Sequence, residues 1–204
     1  EENTAGMAIK SFFAENAPGE GGDITLHKNM PIGSGMGSSA ASAAAGVAAV
    51  NALLEAPLPA EKLIKYALDG EMVASGTRHG DNIIPCITGG FILITDTENF
   101  EFIKIDPPAG LVVLLIHPHV EIKTSHARSI LPEMMPAKNA IKQTSAAMML
   151  VTGLLKSDYG LMSAASKDFI AEPYRAGMIP GYHDLKREIL SHGACAFNIS
   201  GSGP

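Results

Sequence analysis

A glycine-rich stretch, Pro31–Ser42 (PIGSGMGSSAAS), most constrains what this chain can fold into. Gly33, Gly35 and Gly37 stand at alternate positions and lack a Cβ, so the backbone can adopt positive φ there. Two serines and a run of small residues follow at once, which predicts that the loop opens directly into a helix. The first N–H groups of a helix have no partner inside it and carry positive potential. The stretch therefore predicts an anion site, most often filled by a phosphate chain.

The spacing of this loop differs from two common phosphate-binding motifs. It is neither the dinucleotide-binding G-x-G-x-x-G nor the P-loop G-x-x-x-x-G-K-[ST], and no lysine follows the serines. We therefore interpret residues Pro31–Ser39 as a third kind of phosphate loop, and call this segment the phosphate loop below.

Charge and composition exclude several classes of partner. The 204 residues carry a formal net charge of −6, whereas a nucleic-acid-binding protein presents a basic face. Phosphate remains compatible, because backbone amides and a bound metal can supply positive potential. No apolar run approaches the length of a membrane span, so we expect no membrane partner. Cys86 and Cys195 lie far apart without a paired spacing, which suits a reducing cytoplasm.

Hydrophobic periodicity predicts both helices and strands, and the Pro/Gly-containing linker 106–110 predicts a domain boundary. Helices are predicted at 4–15, 38–54, 60–75, 123–131, 137–155, 160–170 and 183–191. Strands are predicted at 23–30, 91–95, 100–105, 111–116 and 194–199. The polar segment 76–85 is predicted to be a loop, and loops of this kind often carry chemistry.

Glu71 occupies an unusual place on the predicted helix 60–75. The i, i+4, i+7 rule sets it on one stripe with Ile64 and Leu68, among apolar neighbours. A buried carboxylate is costly unless a cation or hydrogen-bond donors meet it. From position alone, a functional carboxylate and an arginine-paired or snorkelling glutamate remain alternatives.

Taken together, these motifs resemble the GHMP small-molecule kinases. The stretch Pro31–Ser42 is similar to the family's second motif, its ATP phosphate loop, and Asn198–Pro204 (NISGSGP) is similar to the start of its third. Three further stretches resemble the members of the family that phosphorylate L-homoserine. These are Gly70–Asn82, Thr124–Arg128 and Glu172–Gly181.

The resemblance implies a two-domain α+β architecture. Residues 1–108 would form part of an N-terminal ATP-binding domain with a fold like domain 2 of ribosomal protein S5. Residues 109–204 would form part of a ferredoxin-like C-terminal domain. The family's first motif and its C-terminal strand and helix do not occur in these residues. We therefore expect a piece of a longer protein that is inactive in isolation.

The resemblance also implies a reaction and its residues. ATP would donate its γ-phosphate to the side-chain hydroxyl of L-homoserine, with Mg²⁺ as cofactor, in a cytoplasmic enzyme whose relatives are often homodimers. ATP-phosphate binding falls on Pro31, Gly33, Ser34, Gly35, Met36, Gly37, Ser38 and Ser39. Ser39 and Glu71 would hold the metal, and the catalytic positions are Glu71, Asp81 and Asn82. Substrate binding falls on His79, Asn82, Arg128, Arg175 and Gly201.

Some of these assignments leave alternatives open. Arg128 and Arg175 suit a carboxylate because guanidinium offers a two-pronged donor, but each could instead form a surface salt bridge. Asp81 could act as a base or merely brace its loop. For the whole protein, the alternatives are a kinase for mevalonate, a sugar or shikimate, and a nucleotide-binding relative without catalysis.

Overall fold

The chain divides into two compact units in a computed structural model that describes residues 3–31, 33–76 and 78–203, the side chains of 73–75 excepted. Unit 1 comprises Glu1–Ile32 and Gly37–Ile105, and unit 2 comprises Gly33–Met36 and Asp106–Pro204. Within the described ranges, no helix is long and apolar enough to cross a membrane.

In its described residues, unit 1 forms four helices and a hairpin around one apolar core. Its elements are α1 (Thr4–Asn16), α2 (Ser38–Asn51), α3 (Ala60–Ser75), α4 (Gly80–Thr88), β1 (Phe91–Asp96) and β2 (Glu101–Ile105). Helix α1 packs on both α2 and α3. The largest fully buried side chains are Phe12, Val47, Ile83 and Ile84, and burying each contributes about 1.5–3 kcal/mol.

Glycine sets how closely α1 approaches α3. A Cβ on Gly70 would stand 2.4 Å from the Thr4 carbonyl oxygen, a backbone atom that cannot rotate away. The short side chain of Ser11 on α1 also donates a 2.5 Å hydrogen bond to Asp69 Oδ2 on α3. The backbone of α3 is therefore held close to α1 one residue before Glu71.

Unit 2 is built from helices and from segments that are neither helix nor strand. Its elements are α5 (Thr124–Ser129), α6 (Ala137–Lys156), α7 (Tyr159–Ala165), α8 (Glu172–Arg175), a 3₁₀ turn (Ala176–Met178) and α9 (Tyr182–Ser191). Helices α6 and α7 pack together where Gly153 admits Met162, since a Cβ on Gly153 would lie 2.8 Å from Met162 Cγ.

Most predicted helices and the hairpin are confirmed. Helices α1, α2, α3, α5, α6 and α9 lie where the periodicity places them, with ends that differ by up to three residues. The predicted helix 160–170 is wrong beyond Ala165. There the Asp168 carboxylate accepts hydrogen bonds from the amides of Ile170, Ala171 and Glu172, which folds the chain into a turn.

Segment 76–85 contains a helix, so the prediction of a loop there is wrong from Gly80 onward. Helix α4 begins at Gly80 and continues to Thr88. Its apolar residues Ile83, Ile84 and Ile87 recur at helical spacing and pack into or against the unit 1 core. That burial stabilises the helix despite the polar residues at its start.

Three predicted strands, 23–30, 111–116 and 194–199, do not form, because these segments have no strand pairing. A strand needs a neighbouring strand to receive its hydrogen bonds, and over the described residues the sheet consists of β1 and β2 alone. The apolar run Val112–Ile116 is accordingly 50% to 85% exposed. An apolar pattern indicates the tendency to form a strand, but pairing decides whether one forms.

The β1–β2 hairpin is antiparallel, with Phe91 opposite Ile105 and Asp96 opposite Glu101. Asp96 closes its turn by accepting hydrogen bonds from the amides of Glu98 (2.7 Å) and Asn99 (2.9 Å) and from Asn99 Nδ2 (2.8 Å). These donors, with the Asn99 amide foremost, hold the pKa of the Asp96 carboxyl below its usual value.

We expect Asp96→Ala to lower the stability of the full-length protein in a pH-dependent way. Because the folded-state pKa is lowered, the contribution of Asp96 is present above the unfolded-state pKa and is lost as pH falls through the folded-state pKa. Urea unfolding at about pH 7 should separate mutant from wild type, and the difference should shrink toward about pH 2. Glu98→Gln, an exposed change in the same turn, is the control. A pH-independent difference would contradict the assignment.

Candidate functional site

The three glycines of the phosphate loop all adopt positive φ, namely 71° at Gly33, 65° at Gly35 and 69° at Gly37. This confirms the conformational reason for glycine at alternate positions. Helix α2 begins at Ser38 with Gly37 as its N-cap, and no side chain caps it. The helix therefore presents its first amides at the end of the loop, as the sequence predicts.

Asn82 lies directly over Gly37. It comes from the first turn of α4, and a Cβ on Gly37 would stand 2.9 Å from Asn82 Oδ1. The absence of a side chain at Gly37 thus lets a predicted catalytic amide approach the N-terminus of α2. The fold brings together two site residues that are 45 positions apart in sequence.

Ser39 and Glu71, the two predicted metal ligands, also lie side by side. Ser39 Oγ, in the first turn of α2, donates a 2.6 Å hydrogen bond to Glu71 Oε2 on α3. Glu71 is half-buried, and its stripe neighbours Ile64 and Leu68 are buried, as the helical spacing predicts. The pair thus places a hydroxyl oxygen and a carboxylate oxygen next to each other, and both are ligands of the kind that hard cations prefer.

No cluster of three or more His, Cys, Asp and Glu side chains within residues 3–31, 33–76 and 78–203 could hold a metal ion by itself. The Ser39–Glu71 pair supplies one hydroxyl and one carboxylate. Such a pair fits Mg²⁺, which is usually bound through one or two carboxylates together with substrate phosphates and water.

Cys86 is a neighbour of Glu71 that the sequence does not single out. It lies after Gly80 on the same helix, α4, and its thiol is free. Partial burial raises the pKa of the Cys86 thiol, and the Glu71 carboxylate raises it further. A thiolate at this position would be repelled by the negative charge of Glu71.

An ion pair fixes the segment that leads into α4. Arg78 Nη2 lies 2.5 Å from Asp69 Oδ1 on α3. Asp69 therefore receives Ser11 on one oxygen and Arg78 on the other. This ties the chain next to His79 to the helix that carries Glu71, a link that no sequence periodicity indicates.

In unit 2, residues Gly33–Met36 of the phosphate loop lie against the second glycine turn, which we define as Ser200–Gly203. Ser200 Oγ donates a 2.9 Å hydrogen bond to the Gly35 carbonyl oxygen. A Cβ on Gly35 would lie 2.1 Å from the Ser200 carbonyl oxygen, and one on Gly201 would lie 2.8 Å from the Gly35 carbonyl oxygen. The two glycine motifs of the sequence therefore meet backbone to backbone.

Arg175, a predicted substrate residue, contacts this turn. Its Nε donates to the Ala127 carbonyl oxygen (3.0 Å) on α5, and its Nη1 donates to the Gly201 carbonyl oxygen (2.8 Å). The guanidinium therefore joins α5 to the second glycine turn, a role beyond the predicted carboxylate contact.

The remaining predicted residues lie on or beside these elements. Ser34 and Ser38 are buried, Met36 and His79 are half-buried, and Pro31, Asp81 and Arg128 are exposed. His79 is the N-cap of α4 and Asp81 is in its first turn, whereas Arg128 lies in the last turn of α5. Ile32, Thr77 and Pro204, which complete the quoted motifs, lie outside the described residues.

Comparison with known proteins agrees with this geometry. Residues 3–90 match the family model for the GHMP kinases N terminal domain. A homoserine kinase from Chlorobium phaeobacteroides is 48% identical over 182 residues, which cover 89% of this chain and 57% of that protein. A homoserine kinase from Chloroherpeton thalassium is 42% identical over 209 residues, covering 100% of this chain and 66% of the relative.

A solved structure is also closely similar. The crystal structure of homoserine kinase from Cytophaga hutchinsonii superposes with a TM-score of 0.93 at 40% identity, covering 100% of this chain and 65% of that one. The chain thus spans 57% to 66% of the lengths of these relatives. Residues 3–90 therefore match the N-terminal domain of the GHMP kinases, and the full length of the chain aligns with part of relatives named homoserine kinase.

Proposed function

We propose that the full-length protein transfers the γ-phosphate of ATP to the side-chain hydroxyl of L-homoserine. The observation that carries the proposal is the Ser39–Glu71 pair, 2.6 Å apart where α2 begins. Relatives named homoserine kinase, 42% to 48% identical to this chain, support the choice of acceptor. In the reaction the acceptor oxygen forms a bond to the γ-phosphorus, the bond from that phosphorus to the bridging oxygen breaks, the hydroxyl loses its proton, and ADP leaves.

The phosphate loop would bind the triphosphate through backbone amides. Its left-handed glycines bring the main chain close to a ligand without interposed side chains, and the start of α2 adds the positive end of a helix dipole. Bound Mg²⁺ would neutralise charge that develops on the phosphate oxygens. Amides and metal together would supply the positive charge that the lysine provides in a P-loop.

The acceptor would be held by amide, imidazole and guanidinium groups. Asn82 and His79, at the start of α4, can orient the substrate by hydrogen bonds. Arg128 and Arg175 would pair with the substrate carboxylate, because guanidinium donates in two parallel directions. Phosphoryl transfer depends mainly on such placement and on charge stabilisation.

Asp81 is expected to contribute little as a base. It lies exposed in the first turn of α4, where a carboxylate also stabilises the helix N-terminus. A general base typically contributes about 10²–10⁴-fold, and we expect Asp81→Asn to reduce kcat by less than this range. The measurement is steady-state ADP release by the folded mutant. A collapse of turnover with unchanged ATP and homoserine binding would establish Asp81 as the base.

We further propose that the chain carries parts of two GHMP kinase domains. Residues 1–108 would belong to an N-terminal domain with a fold like domain 2 of ribosomal protein S5, and residues 109–204 to a ferredoxin-like C-terminal domain. The family match over residues 3–90 supports the first assignment, and the division of the chain after Ile105 agrees with two domains. A crystal structure of the full-length protein would test both assignments.

The decisive assay measures ADP release by the full-length protein with Mg²⁺-ATP and a panel of acceptors. We expect L-homoserine to give turnover well above mevalonate, galactose and shikimate. A stronger signal from one of these would place the protein elsewhere in the family. Binding of Mg²⁺-ATP without turnover on any acceptor would indicate a nucleotide-binding relative without catalysis.

A further inference from the structure

The guanidinium of Arg175 is bonded to backbone at two separate places in unit 2. Its hydrogen bonds to Ala127 on α5 and to Gly201 in the second glycine turn measure 3.0 Å and 2.8 Å. A charged donor makes a stronger hydrogen bond to a carbonyl than a neutral donor does. Arg175 therefore fixes the position of the second glycine turn relative to α5.

The position of that turn determines where Gly35 can lie. The Ser200 hydroxyl donates to the Gly35 carbonyl oxygen, and the backbones are so close that neither Gly35 nor Gly201 has space for a Cβ. A contact of this closeness leaves little freedom for one segment to shift without the other. By fixing the position of the second glycine turn, Arg175 therefore also restricts the position of Gly35 in the phosphate loop, because the two backbone segments are in direct contact.

Arg175 is itself held firmly. It ends α8, whose first residue Glu172 accepts hydrogen bonds from Lys186 Nζ on α9 at 2.6 Å and 2.8 Å. Those two side chains are only 15% and 19% exposed. The amide of Glu172 is also bound by Asp168. A short helix fixed at its start provides the anchored base that a positioning side chain requires.

We propose that Arg175 is a positioning residue for the phosphate loop, and that nucleotide affinity depends on it even when no acceptor is bound. This rests on the proposed function, in which the phosphate loop binds ATP. Guanidinium has five N–H donors, and the two carbonyl bonds use two of them. The positioning role is therefore compatible with a carboxylate contact by the same side chain, and it predicts an effect that such a contact alone would not produce.

The test measures the affinity of the full-length protein for a non-hydrolysable ATP analogue with Mg²⁺, without homoserine, by titration calorimetry. We expect Arg175→Ala to weaken the affinity roughly tenfold, since it removes two charge-assisted hydrogen bonds. Arg175→Lys should weaken the affinity for the analogue similarly, because one ammonium group cannot make both of the hydrogen bonds that Nε and Nη1 make. Arg187→Ala removes an exposed arginine that pairs with Asp184 on α9, and should bind the analogue like wild type.

Each outcome discriminates. If Arg175→Ala binds the analogue like wild type and only its KM for homoserine rises, Arg175 is a carboxylate contact alone and the proposal is overturned. If Arg175→Ala fails to fold, wild-type affinity in Arg175→Lys overturns it. Ser200→Ala tests the same link from the other side, since it removes the hydrogen bond to Gly35 while leaving Arg175 intact, and it should also weaken binding. If wild type itself binds no nucleotide, the proposed function fails first.

Discussion

Glu71→Gln should abolish most activity of the full-length protein, even though glutamine has the same shape as glutamate. The amide oxygen of glutamine can still accept the hydrogen bond from Ser39, which in the native chain measures 2.6 Å. What the substitution removes is the negative charge that would hold Mg²⁺. We expect kcat/KM to fall by about 10³ or more, in line with the several kcal/mol that a catalytic metal contributes.

The same substitution separates a metal ligand from a structural acceptor. A structural glutamate would tolerate glutamine, whereas a metal ligand would not. Nucleotide titrations at several Mg²⁺ concentrations should show metal-enhanced affinity for wild type and a weakened enhancement for Glu71→Gln. Glu61→Gln, an exposed change in the first turn of the same helix, is the matched control. Wild-type activity in Glu71→Gln would reject the proposed metal site.

The sequence predicts the centre of this site better than its surroundings. Glycines at alternate positions before a helix of small residues indicate a main chain that adopts positive φ and comes close to a ligand or to another backbone segment. The helix that carries Glu71 is equally clear, because its apolar stripe has an unambiguous period. The predicted Ser39–Glu71 pairing needed the family resemblance as well, because local periodicity does not report which helices touch.

The incorrect predictions concern segments whose secondary structure depends on tertiary contacts. The polar residues around His79 and Asp81 favour a loop, so helix α4 is not predicted. The helical spacing of Ile83, Ile84 and Ile87 could have indicated it. The run Val112–Ile116 has the composition of a strand but lacks a paired neighbour. Strand formation depends on residues distant in sequence, so local pattern alone cannot settle it.

The two hydrogen bonds that Arg175 donates to backbone carbonyl oxygens also depend on tertiary structure. Sequence indicates that a guanidinium suits a carboxylate, but the direction of the carbonyls of Ala127 and Gly201 follows from the way in which α5 and the second glycine turn fold. The Asp69–Arg78 ion pair likewise joins residues nine apart, across the end of a helix. Neither contact belongs to a repeating pattern, so neither could be predicted from spacing.

Gly35→Ala should be the most damaging substitution in the phosphate loop. Its φ of 65° is one that an L-residue with a side chain adopts at a cost of about 1–2 kcal/mol. The added Cβ would also stand 2.1 Å from the Ser200 carbonyl oxygen, a backbone atom. We expect a loss of at least about 3 kcal/mol in the free energy of unfolding, or separation of the two glycine motifs with loss of nucleotide affinity.

Two other glycines of unit 2 separate the two causes of this loss. Gly177 has open space around it and no positive φ, so alanine there should be neutral or slightly stabilising. Gly181 has a φ of 72° with open space, so alanine there should show the backbone cost alone, about 1–2 kcal/mol. Denaturant unfolding of the three alanine variants should rank Gly35 worst, then Gly181, then Gly177. If Gly35→Ala instead matches Gly181→Ala in stability and binds nucleotide like wild type, the close contact between the two glycine motifs does not affect nucleotide binding. That result would also contradict the proposed effect of Arg175 on the phosphate loop, which depends on this contact.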